Sequence, residues 1–200
     1  TKSKNFQQLK DRLDEIKASI SLSSDPGNLT FTIQARKEHL PATLELLKEM
    51  LREPAFSAEE LEIIRNEQIT QLESSRSEPQ TVAMMAVARA SSKWPVDDPR
   101  YSPSLDESIE DYKSVTADDI RSLFDGFVGG QNGQVAVVGS FDSDSIVDEL
   151  NEVFNDWTSD QPYDRIPDPL QHVDFGKRIA INTPDKANAI YIAAMLMPLR

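Results

Sequence analysis

Two histidines and no cysteine limit the metal and nucleophile chemistry this chain can carry. Zinc on a helix needs His ligands one turn apart, and neither His39 nor His172 has a second ligand at i+3 or i+4. The Glu38-His39 pair has Ala35, not His, one turn earlier. His39 therefore reads as a helix-start residue and His172 as a loop residue. The absence of Cys removes disulfides, thiolate metal sites and thiol nucleophiles.

Other possible sites fail on similar grounds. Gly129-Gly130-x-x-Gly133 leads into an apolar run rather than a helix N-terminus, so it reads as a turn and not a phosphate cradle. Gly139-Ser140 lacks the second glycine of a nucleophile elbow and a His partner. Glu59, Glu60 and Glu62 near a helix start suit the helix dipole. Glu67 lies farther along that helix, and without paired His its ordinary role is solvation.

The elements that position these residues follow from hydrophobic period. Phe6, Leu9, Leu13 and Ile16 predict a helix over roughly Lys4 to Lys17. Ile20 and Leu22, then Leu29, Phe31 and Ile33, alternate around Asp25-Pro26-Gly27-Asn28 and predict a β-hairpin. Helical spacing returns with Leu40, Leu44, Leu47 and Leu51, stopping before Pro54. Ser57 with Glu60 is a capping box ahead of a helix whose expected face is Leu61, Ile64, Gln68 and Leu72. Pro79 opens a further helix that ends near Ser91.

The stretch 93–103 holds three prolines and reads as an ordered loop. Ser104 with Glu107 and Thr116 with Asp119 are two more capping boxes, and Asp142 caps the helix bearing Ile146, Leu150 and Val153. Gln134–Gly139, Arg178–Asn182 and Ala189–Met195 are expected to be strands. Strands and helices do not alternate along the chain, so the expected class is α+β, a largely antiparallel sheet with helices packed on one face.

Charge and length narrow the partners. Thirty-four Asp and Glu against 21 Lys and Arg give a net charge of −13, and no basic cluster offsets it, so nucleic-acid binding is not expected. No apolar run approaches the roughly 18 residues of a membrane span, so membrane insertion is not expected either. Starting without Met and ending just after an apolar stretch, the 200 residues are expected to be a piece of a longer protein.

Five segments in order resemble the pitrilysin family of zinc metallopeptidases, which includes insulin-degrading enzyme and the mitochondrial processing peptidases. They are Leu40–Leu47, Glu53–Leu61, Ile64-Arg65-Asn66-Glu67, Ser114–Ile120 and Val135–Asp142. The resemblance implies the family's α+β fold over residues 1–157, a linker at 158–176 and the opening strands of a following subdomain at 177–200. It also implies a zinc-dependent endopeptidase as the parent protein, with peptides or unfolded polypeptides as substrates. The partner is then the homologous other half of the same protein, or a paired subunit.

The family's H-x-x-E-H motif, whose two His bind zinc while its Glu activates water, is not in this sequence. Thr1-Lys2-Ser3-Lys4 is similar to the stretch just downstream of that motif. By the same resemblance Glu67 falls at the distal zinc ligand's position, and it is the one metal candidate; no catalytic residue is expected within the chain. Ser19–Ser23 and Leu29–Ile33 depart from the pattern of the catalytic half. The expectation is therefore the non-catalytic C-terminal half, zinc in the parent and none in this piece, with Glu67 a ligand only in a catalytic half. The alternative is a catalytically silent assembly or binding subunit of the same fold, like the core proteins of respiratory complexes. The cysteine-free composition fits a bacterial periplasm without fixing the compartment.

Overall fold

The computed structural model describes residues 1–167, 176 and 178–195. They contain seven helices and one two-stranded antiparallel sheet, so the α+β class expected from the sequence holds. The elements are α1 (Phe6–Glu15), β1 (Ser19–Asp25), β2 (Asn28–Gln34), α2 (Leu40–Arg52), α3 (Ala58–Ser75), α4 (Pro79–Ser91), α5 (Leu105–Ser114), α6 (Ala117–Phe127) and α7 (Ser143–Phe154). They fall into two compact units, Thr1–Ser57 with Ala117–Arg165, and Ala58–Thr116 with Ile166–Arg200.

The first unit is built around apolar burial. Leu44, Leu47 and Leu51 of α2 meet Ile146 and Val153 of α7, and Ile20, Phe31 and Ile33 of the hairpin pack against them. The i, i+3, i+7 spacing on α2 puts these leucines on one face, which is why the predicted stripe is the buried one. The hairpin register pairs Asp25 with Asn28, leaving Pro26-Gly27 as a two-residue loop. Gly27 has φ +84, a conformation that proline at the preceding position and glycine here make accessible. Asp142 accepts from the Ser145 amide at the start of α7, as its sequence position predicts. At α1 the cap is one the periodicity did not show: Asn5 and Gln8 form a capping box.

The glycine-rich segment is a turn. The Gly130 amide donates to Trp157 O at 2.7 Å and the Gly133 amide to Gly130 O at 3.0 Å. A Cβ on Gly129 would come within 2.6 Å of the Ser159 amide nitrogen, so the absent side chain admits neighbouring backbone rather than a phosphate.

The second unit holds α3, α4 and α5 with the intervening loop. Its one buried hydrophobic among the described residues is Ile109 of α5. Ser104 and Glu107 form the predicted capping box, α4 begins at Pro79 as expected, and 92–104 carries no helix.

Three strand expectations need correction. Gln134–Gly139, Arg178–Asn182 and Ala189–Met195 form no ladder. Strand propensity reflects fit to a pleated, half-buried surface, and these segments meet no partner strand among the described residues. Val138 is 99 % exposed, although Val137 beside it packs on the α2–α7 core.

Candidate functional site

Helix α3 carries Glu67, and the orientation of the helix decides what that carboxylate can reach. The expected inward face, Leu61, Ile64, Gln68 and Leu72, is rotated: the half-buried positions are Leu61, Arg65, Ile69 and Leu72, while Ile64 is exposed. Arg65 is the cause. Its Nε donates to Tyr112 O at 2.8 Å and its Nη2 to Val115 O, while Nη1 pairs with Glu62. Tyr112 and Val115 lie at the C-terminal end of α5, where carbonyls lack helical partners and a cation is favoured. One arginine thus satisfies two orphan acceptors and turns its own face of α3 inward.

Glu67, two residues on, is consequently exposed and makes no hydrogen bond or ion pair among the described residues. His39 belongs to the other unit, at the start of α2, where its carbonyl accepts from Thr43 Oγ1 at 2.8 Å. It is the helix-start residue the sequence suggested; His172 lies outside the described residues. No group of three His, Cys, Asp or Glu able to hold a metal ion occurs among the described residues. A lone exposed carboxylate does not meet zinc's need for three protein ligands, so the donor set present does not fit that metal.

The second unit instead offers a groove. Ala83, Ala86 and Ala90 of α4, with Ile179, Ile181 and Ile190, line an open space of about 1010 Å³. One border is tied by an ion pair between Lys186 and Glu78 at 2.7 Å. The Lys186 amide donates to Thr183 O at 3.1 Å, closing a turn over Pro184-Asp185. Residues 178–182 and 189–195 line this space and form no ladder among the described residues.

The loop beside α4 is fastened by arginines that the sequence reading did not single out. Arg100 pairs bidentately with Asp98, Nε to Oδ1 at 2.8 Å and Nη2 to Oδ2 at 2.7 Å, and its guanidinium stacks 3.4 Å over the Trp94 ring. The Arg100 hydrogen bonds hold the Asp98 carboxyl down at about 2. Arg89 reaches Glu107 at 2.7 Å and Ser102 O at 3.1 Å, and Tyr101 donates to the same Glu107. Bonds from Ser104, then Arg89 and Tyr101, lower Glu107 to about 2 as well. The usable signal was the spacing of Arg100 two residues from Asp98 and of Glu107 in a capping box. These contacts order the loop; none of them prepares a nucleophile or base.

The family model described as Insulinase (Peptidase family M16) matches residues 1–104 of the chain, and the one described as Peptidase M16 inactive domain matches residues 114–199. No curated protein matches. Together the two models account for the ordered segments that carried the resemblance, on both sides of the loop that the arginines fasten. With more than half of its length matched by the first of them, this chain, peptidase-related in kind, belongs to the insulinase family of peptidases, M16.

Proposed function

We propose that the chain is part of a zinc-dependent metalloendopeptidase acting on peptides or unfolded polypeptides, and that it is the non-catalytic half. In that role it closes a peptide-holding chamber against the homologous half and binds substrate away from the metal. The observation that carries the reading is the departure of Ser19–Ser23 and Leu29–Ile33, which pair as the two strands of the hairpin, from the pattern of the catalytic half. Glu67, the one residue at a ligand position by resemblance, stands exposed with no metal-binding group around it among the described residues. The open space between α4 and residues 178–194 supports peptide holding, because it offers room for a further chain beside segments that form no ladder among the described residues.

The test uses the 200-residue chain with added zinc, a quenched fluorogenic peptide and a labelled unfolded polypeptide. The expected result is saturable binding of the polypeptide, no cleavage above the zinc-free blank, and the same zinc content in Glu67→Gln as in the parent sequence. Loss of zinc and of peptidase activity on placing Glu67→Gln in the longer parent protein would assign the chain to the catalytic half. Neither cleavage nor polypeptide binding would favour the silent assembly subunit.

A further inference from the structure

Helix α1 has no fully buried residue: Leu9, Arg12 and Leu13 on one face are half-buried, and Phe6 in its first turn is 68 % exposed. At the C-terminal end Ile16 is buried and Lys17 takes φ +48, with the Ala18 amide donating back to Leu13 O at 3.0 Å. A non-glycine residue in the left-handed region marks a sharp change of chain direction at one point.

At the other end, four consecutive residues are gathered onto α2. Thr1 Oγ1 donates to Glu49 Oε1 at 2.5 Å, Ser3 Oγ donates to the same oxygen, and Lys4 Nζ donates to Oε2 at 2.6 Å. The Lys2 amide adds a bond to Glu53 O at 2.8 Å. Both oxygens of one carboxylate are thereby used by residues 45 to 48 positions away in the chain. Burial works to raise the Glu49 carboxyl, and the bonds from Lys4, Ser3 and Thr1 with the Lys4 charge outweigh it, leaving it at about 2.

We propose that α1 is a strap, latched through Thr1–Lys4 by Glu49 and bending at Lys17, which can loosen from the first unit while the α2–α7 core stays folded. Glu49 is in this sense a positioning residue. The apolar contacts that stabilise the core lie on Leu44, Leu47, Leu51, Ile146 and Val153, none of which belongs to α1, so the two can open separately. The proposal does not depend on the peptidase reading, since it concerns only contacts within the first unit.

Amide hydrogen exchange on the 200-residue chain reads it directly. In Glu49→Ala, exchange across residues 6–15 should accelerate by about tenfold or more, the consequence of losing several bonds to one charged acceptor, while α2 and α7 keep their protection. Glu49→Asp, which keeps the carboxylate on a shorter stem, should fall between. Lys4→Met removes the charged donor alone and should speed the same amides to a smaller degree, which keeps the test usable should Glu49→Ala fold poorly. Unchanged exchange in α1, or an acceleration shared equally by α1, α2 and α7, would overturn the strap.

Discussion

The two units solve the problem of cohesion differently. In the first, seven of the eight buried hydrophobic residues gather, five of them in the cluster between α2 and α7, and an aromatic series from Phe56 through Phe124 and Trp157 to Phe154 continues the packing. In the second, Ile109 alone is buried among the described residues, and the fastening is done by Arg65, Arg76, Arg89 and Arg100, each engaging a carboxylate. Burial of apolar area is non-directional and insensitive to salt and pH, whereas guanidinium–carboxylate pairs are directional, screened by salt and lost in acid. The first unit is thus held by apolar packing, and the second is a set of helices and loops fastened by guanidinium–carboxylate pairs.

The sharpest way to break this contrast is to remove core volume. Leu47→Ala leaves a cavity against Ile146 and Val153 and should cost about 2–5 kcal/mol, measured by urea unfolding. The loss should appear in the fluorescence of Trp157, in the first unit, and leave Trp94, in the second, unchanged; single-tryptophan variants separate the two signals. Equal loss at both would mean that the units share one cooperative core.

A smaller effect is expected at the other unit's main fastening. Arg65→Met keeps much of the apolar stem and strips the guanidinium from Tyr112 O and Val115 O, costing about 1.5–3 kcal/mol because the acceptors at the end of α5 lose a charged donor. Exchange protection of α3 and α5 should fall while that of α2 and α7 stays. If Arg65→Met leaves α3 and α5 as protected as before, the arginine is ornamental and Ile109 suffices.

The mildest perturbation is acid. Asp98 and Glu107 in the second unit are held near 2, below their ordinary values of 3.8 and 4.5. Because these values are depressed in the folded state, the contacts contribute in full above the ordinary values and are lost as pH falls toward 2. Between pH 4.5 and 2 the emission of Trp94, stacked under Arg100, should change before that of Trp157. The Glu49 latch of the first unit lies in the same window, so α1 should loosen there ahead of the α2–α7 core. Simultaneous change of both tryptophans would remove the distinction between the units.

Much of the fold was legible because its causes are local. Ser104 with Glu107, and Asp142, fix helix starts through hydrogen bonds within three residues, Pro79 fixes one through its locked φ, and Asp25-Pro26-Gly27-Asn28 fixes the hairpin through backbone dihedrals. The candidate site was less legible. Glu67 was placed by the order of family segments, but its exposure depends on Arg65, whose partners lie 47 and 50 residues on at the end of another helix. Glu49 gave no signal at all, since a single Glu on a helix looks solvated until its donors arrive from the chain start.

By itself, then, the sequence determined the helices, the hairpin and its turn, the caps at Ser104 and Asp142, the family and the lack of a His pair, each of which is set by residues near one another or by composition. The tertiary structure decided which face of α3 turns inward, which carboxylates are paired, and that Val135–Val138 and residues 178–195 pair in no ladder among the described residues. These outcomes depend on long-range partners, and a backbone segment becomes a strand or a side chain becomes a ligand only when a second element supplies the matching donor, acceptor or apolar surface.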